Sequence, residues 1–187
     1  MSALHKRQVK QSPGGREIVP LQEAKLYLRE TNSDQDDNIQ LLINAAVQFM
    51  ESQLDYAIDS EGLIYQYSDQ FESNEIKIWH RYIMEEGFVV EYWNGEEWVA
   101  VEDTVYRISI SDMPPKAFLR SGQVWPTPSL DMESVRVGFK VDTDHSFIDD
   151  IKGAVLSLVA HQYENAEGTT DVPPRVMAVI NRHKLHS

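Results

Sequence analysis

The clearest helical pattern in the chain runs from about Asp36 to Leu54 and reads DDNIQLLINAAVQFMESQL. Its apolar residues return at intervals of three and four, which is typical of one buried face of an α-helix. These residues are Ile39, Leu42, Ile43, Ala46, Val47, Met50 and Leu54. Acidic residues at its start suit a helix N-terminus, and either Ser33 or Asp34 is the predicted N-cap.

A shorter helical pattern precedes this stretch and covers residues 20–30. Leu21, Ala24 and Leu28 share one of its faces. A polar turn over residues 31–34 joins the two patterns. Two helices connected so closely predict an antiparallel αα-hairpin.

From about Leu63 the apolar pattern alternates, which predicts β-strands instead of helices. The predicted strands cover Leu63–Tyr67, Glu75–Trp79, Phe88–Trp93, Trp98–Val101, Tyr106–Ile110 and Val135–Val141. The pair Asn94-Gly95 lies between two of them and is a strong hairpin signal, because both residues tolerate positive φ. Trp93 and Trp98 flank this turn, so we expect them to pair across it.

Helical spacing returns from about Phe147, where Asp144 or Ser146 is the predicted N-cap of a third helix. A last short helix begins at Pro173-Pro174. The predicted fold class is therefore α+β, with a four-helix hub of two N-terminal and two C-terminal helices and a β-rich insertion between helices 2 and 3. The predicted domains are a flexible basic arm over residues 1–17, a helical hub over residues 18–57 and 145–187, and an acidic β-rich insertion over residues 58–144.

The charge of the chain is unevenly distributed. The net charge is −13, yet residues 1–17 contain four Lys and Arg and one acidic residue. Residues 51–103 contain fourteen acidic residues and two basic ones. Tight binding of nucleic acid needs clustered cations that displace counterions. This composition suits a protein that DNA passes without sequence-specific binding, and not one that holds DNA.

Motifs for catalysis or cofactor binding are absent from the sequence. There is no cysteine, which excludes disulfides and thiolate zinc sites, and there is no phosphate-binding loop or nucleophile elbow. His183 and His186 are three residues apart near the basic end, where we expect a solvated tail and no metal. The acidic pairs Glu85-Glu86, Glu96-Glu97 and Asp149-Asp150 are expected on a solvated acidic surface. We therefore predict a protein that is not an enzyme and needs no cofactor or metal, and no stretch is long and apolar enough for a membrane helix.

Several segments resemble a known family when they are taken in order. Residues 19–29 read VPLQEAKLYLR, residues 34–37 read DQDD, and residues 39–47 read IQLLINAAV. Near the C-terminal end, residues 151–165 read IKGAVLSLVAHQYEN and residues 172–176 read VPPRV. Together they resemble the head–tail connector (adaptor) proteins of tailed bacteriophages.

Two further segments, Tyr106-Arg107-Ile108 and Trp125-Pro126, are similar to features of members with a β-rich insertion, which are often labelled possible DNA-packaging proteins. Two features depart from that pattern. The basic arm over residues 1–17 is longer than in the family, and Gly138-Phe139-Lys140 stands where a different Gly-containing sequence is usual.

The resemblance implies a structural subunit of the virion. Such subunits form a ring of about a dozen copies beneath the portal protein, extend the DNA channel, and provide the platform for a stopper or tail-completion protein. It implies a location in the virion neck at the head–tail junction, and in the host cytoplasm before assembly. It fits an acidic ring, which surrounds DNA without holding it.

The surfaces expected to act are defined by charge. Arg175, Arg182 and Lys184 form a basic C-terminal tip that we expect to dock on an acidic portal surface. The candidates for the acidic surface are Glu85, Glu86, Glu96 and Glu97. Two other interpretations stay open: a phage or bacterial protein-interaction module that forms no ring, and an enzyme that acts on polysaccharide through paired acidic residues.

Overall fold

The computed structural model of the chain describes residues 18–58, 62–71, 73–165 and 171–184, together with the backbone of residues 7–10. The chain divides into two compact units. The β unit comprises Met1–Arg16 and Ser60–Asp142, and the helical unit comprises Glu17–Asp59 and Thr143–Ser187. Four helices and antiparallel sheets confirm the predicted α+β class, and all described strands except the one over Arg7–Lys10 lie between the second and third helices.

Four helices make up the described part of the helical unit. They are α1 (Leu21–Leu28), α2 (Asp36–Leu54), α3 (Ile148–Glu164) and α4 (Pro174–His183). Helix α2 packs against the other three, and α3 also packs against α1 and α4. The α2 face predicted from spacing is the buried one, because Ile39, Ile43, Ala46, Met50 and Leu54 are all in the core. Facing side chains of α3 and α4 complete this core, among them Ile151, Val155, Leu158, Val159, Val176 and Ile180.

The predicted N-caps are wrong. The residues before α2 and α3 are Gln35 and Phe147, and neither makes a side-chain capping hydrogen bond. Backbone turns satisfy the first N–H groups instead: that of Asp36 donates to the Ser33 carbonyl at 3.1 Å, and that of Ile148 donates to the His145 carbonyl at 3.0 Å. The local turn therefore replaces the capping side chain.

The described strands of the β unit form two antiparallel sheets. Sheet A has the order β1-β2-β8-β4-β5, and sheet B has the order β3-β7-β6. The strands of sheet A are β1 (Arg7–Lys10), β2 (Ile64–Ser68), β4 (Val89–Trp93), β5 (Trp98–Ala100) and β8 (Val135–Phe139). The strands of sheet B are β3 (Glu75–Lys77), β6 (Tyr106–Ser109) and β7 (Lys116–Leu119).

The core of the β unit lies between the inner faces of these sheets. Alternation along each strand turns Val90, Val137 and Phe139 of sheet A and Tyr106 and Ala117 of sheet B inward, where all are buried. Gln66 also faces inward, and its side chain bonds to β3 and the segment after it. Its Nε2 donates to the Lys77 carbonyl and its Oε1 accepts from the Trp79 N–H, both at 2.8 Å. The buried Gln66 side chain therefore links the two sheets. The faces of the sheets that point away from this core are the outer surfaces of the β unit.

The hairpin prediction is confirmed. Strands β4 and β5 are paired with Trp93 opposite Trp98, and the two rings are 5.7 Å apart. Gly95 has φ 105°, which a residue with a side chain rarely adopts. The Asn94 side chain fixes the turn, because its Oδ1 accepts the N–H groups of Glu96 and Glu97 at 2.8 and 2.9 Å.

Two strands escape the sequence pattern. Strand β7 (Lys116–Leu119) is the central strand of sheet B and was not predicted. Strand β1 (Arg7–Lys10) lies within the segment predicted to be a flexible arm, and it pairs with β2 from Arg7 opposite Tyr67 to Lys10 opposite Ile64. For these four residues the prediction is wrong, since pairing with a neighbouring strand supplies the order. Residues 1–6 and 11–17 of the arm lie outside the described residues.

Candidate docking surfaces

Helix α4 carries the three predicted portal-docking residues. Pro174 occupies the first turn, where its missing N–H costs nothing, and Val176, Val179 and Ile180 bury one face. Arg175 and Arg182 are exposed and Lys184, just past the helix, is partly exposed. Arg182 and Lys184 therefore lie at the C-terminal end of this helix, where cations are favourable beside the helix dipole, whereas Arg175 lies in its first turn.

The end of α4 is held by an ionic cluster at the start of α3. Nη1 of Arg182 lies 2.7 Å from Oδ2 of Asp150, and Nε2 of His183 lies 3.3 Å from the same oxygen. The His183 ring also packs 5.2 Å from the Phe147 ring and is only 1% exposed. The hydrogen bonds from His183 and then Arg182 outweigh burial and lower the pKa of Asp150. The expectation of a solvated His183 is therefore wrong, because α3 covers it; His186 lies outside the described residues.

The other two cations differ in their surroundings. Nζ of Lys184 lies 3.5 Å from Oδ2 of Asp55, the residue that ends α2. The Arg175 guanidinium lies over Gly153 of α3, so that a Cβ added there would meet Nη2 at 3.2 Å. Arg182 and Lys184 thus share their charge with acidic residues of the helical unit. Arg175 lies in the first turn of α4, at the opposite end of the helix from Arg182.

The four acidic candidates do not form one patch. Glu85 and Glu86 lie in the turn before β4, whereas Glu96 and Glu97 lie in the turn after it. All four are exposed. The two pairs are consequently at opposite ends of one strand, and each presents its charge separately.

The outer face of sheet A carries an aromatic cluster around Arg136. The Arg136 guanidinium lies over the rings of Tyr65 and Trp98, at 4.4 and 4.2 Å from their centroids. Its Nε donates to the Glu91 carboxylate at 2.7 Å. Burial lowers the pKa of Arg136, but the Glu91 carboxylate together with Tyr67 and Tyr65 outweighs burial, so the pKa is raised. This cluster was missed because it joins strands far apart in the sequence.

A long loop after β7 displays apolar side chains. Trp125 anchors it, since the Trp125 ring stacks on Phe71 at 4.8 Å and its Nε1 donates to the Ser73 carbonyl at 2.8 Å. An open groove of about 560 Å³ lies beside Trp125. The described residues that line it include two carboxylates, Asp69 and Asp131, and no histidine. Three apolar side chains of the loop are mostly in solvent: Val124 is 78% exposed, Leu130 103% and Met132 76%.

None of the four acidic candidates lines this groove. Among the described residues, no group of three or more His, Asp or Glu is placed to hold a metal ion. No helix in that part of the chain has the length and apolar character to cross a membrane.

Comparison with solved structures establishes the fold. A chain of the neck of an empty gene transfer agent (GTA) particle, computed with C6 symmetry, is 18% identical with a TM-score of 0.74, over 100% of this chain and 97% of that one. A chain of the native GTA virion is 18% identical with a TM-score of 0.73, over 96% of both chains. A chain of the native GTA neck, computed with C12 symmetry, is 17% identical with a TM-score of 0.70, over 100% of this chain and 97% of that one.

The sequence comparisons find no such likeness. No protein-family model matches the chain, and no curated protein gives a significant match. The likeness therefore lies in the fold along the whole chain.

Proposed function

We propose that this protein is a structural subunit of the neck of a tailed bacteriophage or phage-like particle, acting as a head–tail connector. The observation that carries the proposal is the fold likeness to chains of GTA neck and virion particles over almost the full length of both chains. A shared binding pocket or domain would give a partial match. A match from end to end favours the same architectural role.

The proposed assembly is a ring of about a dozen copies beneath the portal protein. The neck structures that contain the similar chains were computed with C6 and C12 symmetry, which favours a ring of six or twelve. A net charge of −13 per copy suits such a ring, because the summed negative potential repels DNA that passes through it. The ring would extend the DNA channel and present a platform for a stopper or tail-completion protein.

We propose the basic tip on α4 as the contact with the portal. Arg175 and Arg182 lie on one short helix with Lys184 just past its end, and both arginines are exposed. Many weak contacts repeated around a ring give strong attachment in total, so each copy needs only a small docking surface. The subunit would be made in the host cytoplasm and end in the virion neck.

The direct test mixes the purified chain with the portal protein of the same particle and images the product by electron microscopy. A ring of subunits on the portal supports the proposal. A chain that binds its partner as a single copy would favour the alternative of an interaction module without a ring.

The docking tip is tested with Arg175→Glu, because this exposed residue can be reversed without breaking the Asp150 cluster. We expect at least a tenfold loss of portal affinity. The matched control is Arg29→Glu, the same charge change at an exposed cation of the same unit. Equal portal affinity for wild type and Arg175→Glu would overturn the docking assignment while leaving the ring proposal intact.

A further inference from the structure

The outer face of sheet B is basic, although the β unit is acidic. Residues 60–142 contain fifteen Asp and Glu against seven Lys and Arg. The register of sheet B places Lys77 and Ser109 on either side of Lys116, and Glu75 and Arg107 on either side of Phe118. The residue between Lys116 and Phe118 is Ala117, which points to the opposite face and is buried in the core. Both rows therefore face outward. Three cations and the Glu75 carboxylate therefore share these rows, and the exposed Asp112 borders them beside Lys116.

The positive charges on this face are only partly neutralised by neighbouring carboxylates. Lys77 and Lys116 are directly opposite across the strand pair, an arrangement that destabilises a sheet when the charges are alike. The Glu75 carboxylate lies near both ammonium groups, at 4.0 Å from Lys77 and 3.5 Å from Lys116. The Arg107 guanidinium lies over the Phe118 ring at 4.1 Å, a cation–π contact that keeps it close to the face. A surface with this excess of positive charge suits an acidic partner.

The same chain offers an acidic element on the β4–β5 turn. Glu96 and Glu97 are exposed on the β4–β5 turn, and the Asn94 side chain fixes their backbone N–H groups. Space around Gly95 is open, since a Cβ there would meet nothing within 4 Å. The turn lies at the β5 edge of sheet A, whereas the basic face is the outward side of sheet B. One copy therefore carries two complementary surfaces in different places.

We propose that the outer face of sheet B binds the Glu96-Glu97 turn of the neighbouring copy in the ring. The proposal rests on the ring proposed above. A closed ring of identical subunits needs a heterologous contact, in which one surface of each copy meets a different surface of the next. Opposite charges on those two surfaces set the direction of assembly and disfavour pairing of like surfaces.

The experiment reverses each surface in turn. The face variant is Lys77→Glu with Lys116→Glu, and the turn variant is Glu96→Lys with Glu97→Lys. Each variant alone should lose at least nine tenths of ring formation on the portal, as counted by electron microscopy. The matched control is Glu85→Lys with Glu86→Lys, the same charge change at the other end of β4, which should assemble as wild type does.

The decisive experiment mixes the face variant with the turn variant. Every contact in an alternating ring then joins opposite charges again, so rings should return with equal amounts of the two variants. This recovery also proves that both variants fold. A chain that carries all four substitutions should likewise assemble by itself.

A covalent test is available because the chain has no cysteine. A chain with Lys116→Cys and Glu97→Cys should form disulfide-linked multimers when oxidised on the portal. The pair Lys116→Cys and Glu86→Cys should stay monomeric on a denaturing gel.

The outcomes separate this inference from the function on which it rests. If the wild type forms no ring, both proposals fail. If the wild type forms rings and the face and turn variants form them equally well, the contact is wrong and the connector role stands. If the face variant keeps the ring but loses salt-dependent affinity for DNA, sheet B faces the nucleic acid and the contact is likewise wrong.

Discussion

The helical unit and the β unit treat their charged side chains differently. In the helical unit, ion pairs join one helix to another: Lys25 of α1 pairs with Asp36 of α2, and Arg182 of α4 pairs with Asp150 of α3. In the β unit, sheet B gathers like charges on its outer face, and the β4–β5 turn projects two carboxylates into solvent.

This contrast indicates a division of roles. Charges of the helical unit stabilise its own packing, so their removal should reduce the free energy of unfolding. The exposed charges of sheet B and of the β4–β5 turn contribute little to folding, so their removal should affect assembly more than stability. The following predictions test this difference, in order of decreasing effect on stability.

The largest effect is expected at the pair between α1 and α2. The Lys25 side chain is 9% exposed and its partner Asp36 is 30% exposed. Asp36→Asn leaves a buried ammonium without its counter-charge, which should lower the free energy of unfolding by about 3 kcal/mol. Urea denaturation measures the loss.

Two further variants check its cause. Asp37→Asn removes an exposed carboxylate from the same helical turn and should cost about 0.5 kcal/mol. Adding Lys25→Met to Asp36→Asn should restore most of the stability, because no buried charge is left. No recovery in the double variant would contradict the role given to this pair.

A steric effect of intermediate size is expected in sheet A. Gly138 lies between Tyr65 and Val89, and a Cβ there would be 2.9 Å from Val89 Cγ1 and 3.0 Å from Tyr65 Cε1. Gly138→Ala should therefore lower the free energy of unfolding by about 2 kcal/mol through overpacking. The double variant Gly138→Ala with Val89→Ala should be more stable than the sum of its parts. Strict additivity would show that the contact with Val89 is not the cause.

Asp150 should show a pH-dependent effect. Its folded pKa is below the ordinary value of 3.8, so the stability it contributes is fully present above pH 3.8 and is lost as the pH falls through the folded pKa. Because the carboxylate is 41% exposed, solvent screening limits the loss in Asp150→Asn to about 1 kcal/mol or less at pH 7.

Melting temperatures between pH 2.5 and 7 measure this effect. The curves of wild type and Asp150→Asn should converge at the acidic end. The matched control is Asp149→Asn, which removes an exposed carboxylate from the same turn of α3. A constant difference between wild type and Asp150→Asn down to pH 2.5 would contradict the assignment.

Local sequence patterns predict the helices well, whereas strands β1 and β7 depend on contacts with distant parts of the chain. The bounds of α2 and the β4–β5 hairpin follow from apolar spacing and from Asn94-Gly95, which act within a few residues. Strand β7 reads KAFL and follows two prolines, so it has little β-branched character of its own; it is ordered by β3 and β6 on either side. The polar strand β1 depends on β2 in the same way.

The candidate surfaces likewise differ in whether their residues are close together in the sequence or only in the folded chain. The basic tip on α4 is visible in the sequence because its three cations are close together in the chain. The burial of His183 is not visible in the sequence, because it depends on contacts with Phe147 and with Asp150 of α3. The basic face of sheet B could not be found without β7, because Lys77, Arg107 and Lys116 come from three separate strands.

The smallest effect on stability is expected at Leu130, in the loop of the β unit. Its side chain is 103% exposed, so the fold buries none of its apolar surface. Leu130→Ser should change the free energy of unfolding by less than about 0.5 kcal/mol. By contrast, Leu54→Ala at a fully buried site of the helical unit should cost about 3 kcal/mol. Urea denaturation of both variants measures the difference, and a loss above about 1 kcal/mol in Leu130→Ser would show that the loop packs this side chain. An unchanged stability instead means that the fold does not require an apolar side chain at this position.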